Sequence, residues 1–180
     1  REVEIEALGV LGDIFAALAR AEPQRQWRVH ALAASEEALG ITDPGASPGP
    51  WADLQVKIAG LLMPEGDEPD AERIELAIGR YRSALKLLDP KALRVPRIQR
   101  LLADALAASG KRRLDLARLD EAAATYRAAL GGLDPGAVPG QWCQTWIGLA
   151  AAERERARLK EDAGVLDAML VELERAEPRA

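Results

Sequence analysis

Apolar residues recur at spacings of three and four along most of the chain. Between Leu54 and Leu62, apolar residues stand at 54, 58, 59 and 62, and a similar spacing returns between Ile98 and Leu106. This periodicity places the apolar side chains on one face of an α-helix. Because no run of β-branched residues separates these segments, the pattern predicts an all-α fold without strands. About eight helices are predicted, over residues 2–21, 24–41, 50–63, 69–88, 94–109, 113–132, 139–158 and 160–176.

The chain also repeats itself. The segment YRSALKLLDP at residues 81–90 returns almost unchanged as YRAALGGLDP at residues 126–135. Three Asp-Pro dipeptides end at Pro44, Pro90 and Pro135, which gives a period of 46 and then 45 residues. A repeated unit of this length cannot bury its apolar face alone and must pack against its copies. The repeat therefore predicts a single helical-repeat domain over residues 1–180, with units of about 1–44, 45–90, 91–135 and 136–180.

Each predicted unit is a pair of helices. In the second helix of each pair, two alanines seven residues apart fall in register: Ala31 and Ala38, Ala77 and Ala84, Ala122 and Ala129. Tyr81 and Tyr126 correspond to Ser35, so the first copy is degenerate. In the first helix, the third copy can be aligned in two ways, either with Cys143 opposite Leu54 or with Trp142 opposite Trp51.

The pattern Ala-x3-Tyr-x2-Ala followed by Asp-Pro, at 77–90 and again at 122–135, resembles the second helix of a tetratricopeptide repeat. The apolar, small and apolar residues Ile58, Ala59 and Leu62 resemble its first helix, and the resemblance covers roughly residues 31–160. The period of about 45 departs from the usual 34, and HEAT-type helical repeats, with a period near 45, are the structural alternative. Similar long units occur in large bacterial multi-repeat proteins, which implies a bacterial origin.

The resemblance implies a right-handed α-solenoid of antiparallel helix pairs. In such arrays the first helices line a concave face that holds a peptide or a partner domain. The expected function is therefore that of a protein-protein interaction scaffold, with a protein or peptide as its partner. The alternative is an all-α sensory or regulatory module of a larger multidomain signalling protein.

Charge and cysteine content narrow the partners and the location. The chain has 24 basic and 29 acidic residues, interspersed, with a net charge of −5. Nucleic-acid-binding surfaces are normally basic, so we expect neither nucleic acid nor a membrane as partner. Cys143 is the one cysteine, which excludes an intramolecular disulfide and favours a cytoplasmic location; we expect it to be buried. A start at Arg1 rather than Met indicates a piece of a longer chain.

Candidate catalytic residues are few. His30 is the one histidine, and we expect it to be isolated on a partly exposed helix. Carboxylate pairs such as Glu72 with Glu75 and Glu153 with Glu155 are expected on solvated helix faces. The chain has no glycine-rich dinucleotide motif, no Walker-type phosphate loop and no nucleophile elbow. We therefore predict no enzyme activity, no catalytic residue, no metal site and no cofactor.

A candidate binding surface lies on the predicted helix 94–109 and its successor. If Ile98, Leu102 and Leu106 point inward, the side chains of Arg97, Arg100 and Asp104 lie together on the face that would line the concave surface. The arginines could hold carboxylates of a peptide, although an ordinary solvated face would show the same pattern. Adding an aromatic anchor from the next first helix gives the predicted partner-binding set: Arg97, Arg100, Asp104, Trp142 and Thr145.

The C-terminal helix is the second candidate surface. Its apolar residues keep helical spacing without a polar capping repeat after them: Val165, Leu166, Met169, Leu170 and Leu173. The end helix of a solenoid has a face that expects a neighbour. We therefore expect either a continuation of the chain or self-association through this helix.

Overall fold

The computed structural model describes residues 2–21, 25–63 and 70–160, and, beyond these, Gly164, Ala168, Val171, Leu173 and Arg175. All regular secondary structure in this part of the chain is helical, which confirms the predicted all-α class. The helices are α1 (Glu2–Ala21), α2 (Arg25–Ile41), α3 (Pro48–Leu62), α4 (Ala71–Leu87), α5 (Val95–Arg113), α6 (Leu116–Gly131) and α7 (Pro139–Lys160). The predicted eighth helix, with its candidate self-association face, lies almost entirely outside the described residues.

The chain divides into two compact units, residues 1–89 and 90–180, which we call unit 1 and unit 2. The boundary falls at the Asp89-Pro90 dipeptide, so each unit contains two of the predicted repeats. In unit 1, α1 packs on α2, α2 on α3 and α3 on α4. In unit 2, α6 packs on both α5 and α7, and α5 also contacts α7.

The helix ends follow from short polar signals. The Asp70 carboxylate accepts a hydrogen bond from the backbone N–H of Arg73 at 2.9 Å, and Asp115 caps α6 in the same way through Ala117 and Arg118. These caps satisfy N–H groups that have no partner within the helix. Between α5 and α6, Leu114 adopts a left-handed conformation with φ of 54°, which ends α5.

Two arginines hold the C-terminal end of α3. Arg28 on α2 donates from Nε to the Leu61 carbonyl at 2.6 Å, and also donates to the Met63 carbonyl. Arg73 on α4 donates to the same Leu61 carbonyl at 3.0 Å. The last carbonyls of a helix carry partial negative charge and have no intrahelical donor, so cations are favoured there. These bonds tie α2, α3 and α4 together in unit 1.

The connection between α2 and α3 in unit 1 is built like the connection between α6 and α7 in unit 2. The sequences DPGASPGPW, residues 43–51, and DPGAVPGQW, residues 134–142, lie 91 residues apart. In both, the Asp carboxylate accepts the N–H of the glycine two residues later at 2.8 Å, and the Asp carbonyl accepts an N–H four residues later at 2.9 Å. The similarity predicts that each unit contains the same three-helix arrangement, offset by 91 residues.

The burial pattern of α7 identifies its register. Its buried residues are Thr145, Trp146, Leu149, Ala152, Glu153 and Ala157. Aligning Trp142 with Trp51 places four of these, at 145, 146, 149 and 153, on buried positions of α3, whereas the alignment of Cys143 with Leu54 places none of them on a described buried position. Cys143 is exposed, so the prediction that it is buried is wrong. Ile147 is 69% exposed, because in this register it lies on the outer side of α7.

Candidate functional site

The predicted site is organised by a hydrogen-bond network that joins α5 and α6. Arg100 donates from Nη1 to Asp104 Oδ2 at 2.7 Å, one helical turn away. The Tyr126 hydroxyl on α6 donates to the other carboxylate oxygen, Oδ1, at 2.5 Å. Asp104 therefore has a charged donor from its own helix and a neutral donor from the next one. Two of the five predicted site residues are thus brought together, and Tyr126 joins them.

Burial changes the acidity of both groups in this network. Desolvation raises the pKa of the Asp104 carboxyl, and the Tyr126 hydrogen bond and the Arg100 charge oppose the rise only in part. The pKa of the Tyr126 hydroxyl is also raised, mainly by burial and further by the Asp104 charge and hydrogen bond. A neutral phenol that donates to a carboxylate is the stable arrangement here, because a phenolate would face a like charge.

Tyr126 fills its position because α7 carries a glycine there. A Cβ at Gly148 would lie 2.6–2.8 Å from the ring and hydroxyl atoms of Tyr126, closer than side chains tolerate. The Tyr126 side chain, which is 2% exposed, therefore contacts α7 directly and reaches Asp104 on α5. Helices α5, α6 and α7 therefore meet at this tyrosine.

Arg97 lies one turn before Arg100 on α5 and is exposed. Its guanidinium forms no ion pair or hydrogen bond with any residue in the described part of the chain. Arg97 is therefore available to a partner, whereas Arg100 is held by Asp104. The two arginines therefore differ in the structure, although the sequence predicts the same role for both.

Thr145 and Trp142, the two α7 residues of the predicted site, are buried to different extents. Thr145 is completely buried, and its hydroxyl donates to the Gln141 carbonyl in its own helix at 2.7 Å. Trp142 is half-buried, with its ring centroid 5.8 Å from that of Trp146. Thr145 therefore has no surface to offer to a partner, and Trp142 offers a limited one.

The α7 residues that share helical positions with the arginines are Gln144 and Ile147. Trp142 lies 91 residues after Trp51, and Ile98 of α5 lies 44 residues after Leu54 of α3, so corresponding positions of α5 and α7 are 91 − 44 = 47 residues apart. Arg97 then corresponds to Gln144, and Arg100 corresponds to Ile147. Both α7 residues are exposed. The sequence reasoning missed them because it used the other register, in which Ile147 is an inward-facing residue. The two tryptophans were the signal that could have found them.

A second polar cluster connects α6 and α7. Glu153 is completely buried, and its carboxylate lies 2.9 Å from Arg127 Nη2 and 2.5 Å from Arg156 Nη1. Arg156 also contacts Asp120 on α6. The hydrogen bond to Glu153 is the main cause of a raised pKa of the Arg156 guanidinium, which keeps it charged. The prediction that Glu153 lies on a solvated face is therefore wrong, whereas Glu155 pairs with Arg158 near the surface.

The described part of the chain holds no candidate metal site, and its one histidine lies beside aromatic rings. His30 is exposed, with its ring 5.3 Å from that of Phe15 and 6.3 Å from that of Trp27. No group of three or more His, Cys, Asp or Glu residues among the described ones could hold a metal ion. Within the same residues, no helix combines the length and apolar character that crossing a membrane requires.

Comparison with known proteins identifies no family for the chain. No protein-family model, no curated protein sequence and no solved structure matches the chain significantly.

Proposed function

We propose that the chain is a protein-protein interaction scaffold that binds a protein or peptide on the concave face of a solenoid, at α5 and α7. In this proposal the helix pairs are antiparallel, tetratricopeptide-like hairpins stacked as a right-handed solenoid. The tetratricopeptide-like alanine and tyrosine positions support it, because Ala122, Tyr126 and Ala129 are all buried as that repeat requires. The same reasoning holds for Ala77, Tyr81 and Ala84 in unit 1.

The observation that carries the proposal is the exposure of Arg97, Gln144 and Ile147, which stand at corresponding positions of α5 and α7. Arg97 offers a guanidinium with no partner among the described residues, and Ile147 offers a large apolar side chain that is 69% exposed. The two helices that carry them contact each other. The partner that fits is a peptide with a carboxylate for Arg97 and an apolar side chain for Ile147. Arg100 and Asp104 fix the shape of this surface.

The test begins with selection of binding peptides from a random-sequence library on the immobilised chain. We expect the selected peptides to be acidic and to carry an apolar residue. Arg97→Ala should weaken their binding by about tenfold or more if the contact is shielded from water, since such charged hydrogen bonds contribute about 1–3 kcal/mol. Ile147→Ser should weaken binding by a similar factor.

The matched control is Arg112→Ala, which removes one exposed charge from the far end of the same helix. Arg112→Ala should leave the affinity for the peptides nearly unchanged, although it lowers the net charge of unit 2 by the same amount as Arg97→Ala. Equal losses for Arg97→Ala and Arg112→Ala would reduce the effect to general charge attraction. Selection of peptides that ignore Arg97 and Ile147 would remove this surface from consideration.

A further inference from the structure

Helix α1 is apolar on two opposite sides. Its inner side packs on α2, where the Phe15 ring is 6.0 Å from Trp27 and Gly12 approaches Ser35. Its outer side carries a second apolar row at helical spacing: Val3, Ala7, Val10, Ile14 and Ala17. Val3, Val10 and Ile14 are 78%, 53% and 52% exposed. A helix that is apolar on both sides is normally covered on both sides. We call the outer row the α1 ridge.

The equivalent helix of unit 2 has this side covered. Ninety-one residues later, α5 places Ile98, Leu101 and Ala105 at the positions of Ala7, Val10 and Ile14. Ile98 and Ala105 are 3% and 0% exposed, and Leu101 is half-buried. The three α5 residues are therefore buried or half-buried, whereas the corresponding residues of the α1 ridge are exposed. Exposed apolar rows of this kind mark binding surfaces.

Acidic residues border the α1 ridge on both sides. At 100° per residue, Glu6 and Asp13 fall along one border of the row, with Arg20 beside Asp13, and Glu4 lies about 60° past the other border; all four are exposed. Asp13 remains 76% exposed although it pairs with Lys57 at 2.6 Å. Unit 1 as a whole has 16 acidic and 9 basic residues, against 13 and 15 in unit 2. A second copy of unit 1 would meet this face with like charge, whereas a cationic partner would meet opposite charge.

We propose that the α1 ridge binds a cationic amphipathic α-helix of a partner protein, with its apolar side on Val10 and Ile14 and its basic residues beside Glu4 and Glu6. A row spaced by three and four residues packs into the grooves of another helix. The row from Val3 to Ala17 is about 21 Å long, so it accommodates about four turns of that helix. This site lies in unit 1 and is independent of the surface proposed on α5 and α7.

The test uses the whole chain and a fluorescein-labelled helical peptide of about 14 residues, with leucine on one face and lysine elsewhere. Fluorescence anisotropy measures its affinity for the wild-type protein and for Val10→Ser combined with Ile14→Ser. We expect the double variant to bind at least about tenfold more weakly, because it removes the apolar contact without adding charge. Leu76→Ser, on α4 and 54% exposed in the wild type, is the matched control and should bind like the wild type.

A peptide with glutamate in place of lysine tests the charge. It should bind at least about tenfold more weakly than the lysine peptide, and Glu6→Gln should narrow that difference. Equal binding of the two peptides, or unchanged binding by the double variant, would overturn the proposal. Sedimentation without peptide should give monomers for both proteins; a dimer that disappears in the double variant would make a second copy the occupant and would also overturn it.

Discussion

The two units place a carboxylate at the same helical position and satisfy it in different ways. In unit 1 Asp13 on α1 receives the Lys57 ammonium from α3 at 2.6 Å. In unit 2, 91 residues later, Asp104 on α5 receives the Tyr126 hydroxyl from α6 at 2.5 Å. The residues that correspond to Tyr126 and Gly148 in unit 2 are Ser35 and Lys57 in unit 1.

The difference is an exchange of side-chain size between two helices. In unit 1 the small Ser35 leaves room for the long Lys57, and both lie within 3.0 Å of the Cβ position of Gly12. In unit 2 the large Tyr126 fills the space, and Gly148 leaves room for it. Close packing allows either pair but not two large residues. In unit 1 the result is an ion pair between Lys57 and an exposed carboxylate. In unit 2 it is a hydrogen bond from the neutral hydroxyl of a buried tyrosine.

The largest expected effect is that of emptying the tyrosine position. Tyr126→Ser gives unit 2 the serine of unit 1 without the lysine that accompanies it. We expect a loss of about 3–5 kcal/mol in the free energy of unfolding, since it leaves a cavity among three helices. Urea unfolding followed by far-ultraviolet circular dichroism measures the loss. Ser35→Ala in unit 1 is the matched control and should cost about 1 kcal/mol, because it removes only a bond to the Ala31 carbonyl. Similar costs for both variants would contradict the exchange.

Gly148→Ala should have the next largest effect. Its methyl group would overlap the Tyr126 ring, and forcing an extra carbon into a packed core costs about 1–3 kcal/mol. The cost should nearly vanish when Tyr126→Ser is already present, because the serine leaves the space open. A double-mutant cycle on unfolding free energies measures this coupling. Additive costs would show that Gly148 is required for a reason other than the tyrosine.

The sequence predicts the helices well because they depend on local spacing. The alanine register and the Asp-Pro dipeptides locate the second helices, and all the predicted alanines are buried. The contacts of Tyr126 with Asp104 and Gly148 join residues 22 apart on different helices, and they depend on the register of α7. That register was ambiguous because α7 replaces the apolar positions of α3 with Thr145 and Glu153. Glu153 takes the position of Leu62, and Arg127 and Arg156 are what allow a carboxylate there.

The pH dependence of stability should distinguish the Asp104 carboxyl group, whose pKa is raised, from carboxyl groups with the usual pKa. Burial raises the pKa of Asp104, so the folded protein holds this proton more tightly than the unfolded chain does. Its contribution to stability is therefore greatest below the usual aspartate pKa of about 4 and is lost as pH rises through the raised value. We expect the unfolding free energy of the wild type, minus that of Asp104→Asn, to fall as the pH rises above about 4. A difference that rises with pH would mean that Arg100 and Tyr126 outweigh burial.

The smallest expected effect belongs to the exposed pair of unit 1. Lys57→Met keeps the buried stem of the side chain and removes the charge that contacts Asp13 and the Gly9 carbonyl. Since the Asp13 side chain is 76% exposed, water replaces the ammonium, and the unfolding free energy should fall by at most about 1 kcal/mol. The difference between wild type and variant should shrink further at about 1 M salt, where such pairs are screened. A loss comparable to that of Tyr126→Ser, or one that salt leaves unchanged, would show that the Lys57 contact is a buried one. The two carboxylates would then be equivalent in energy as well as in position.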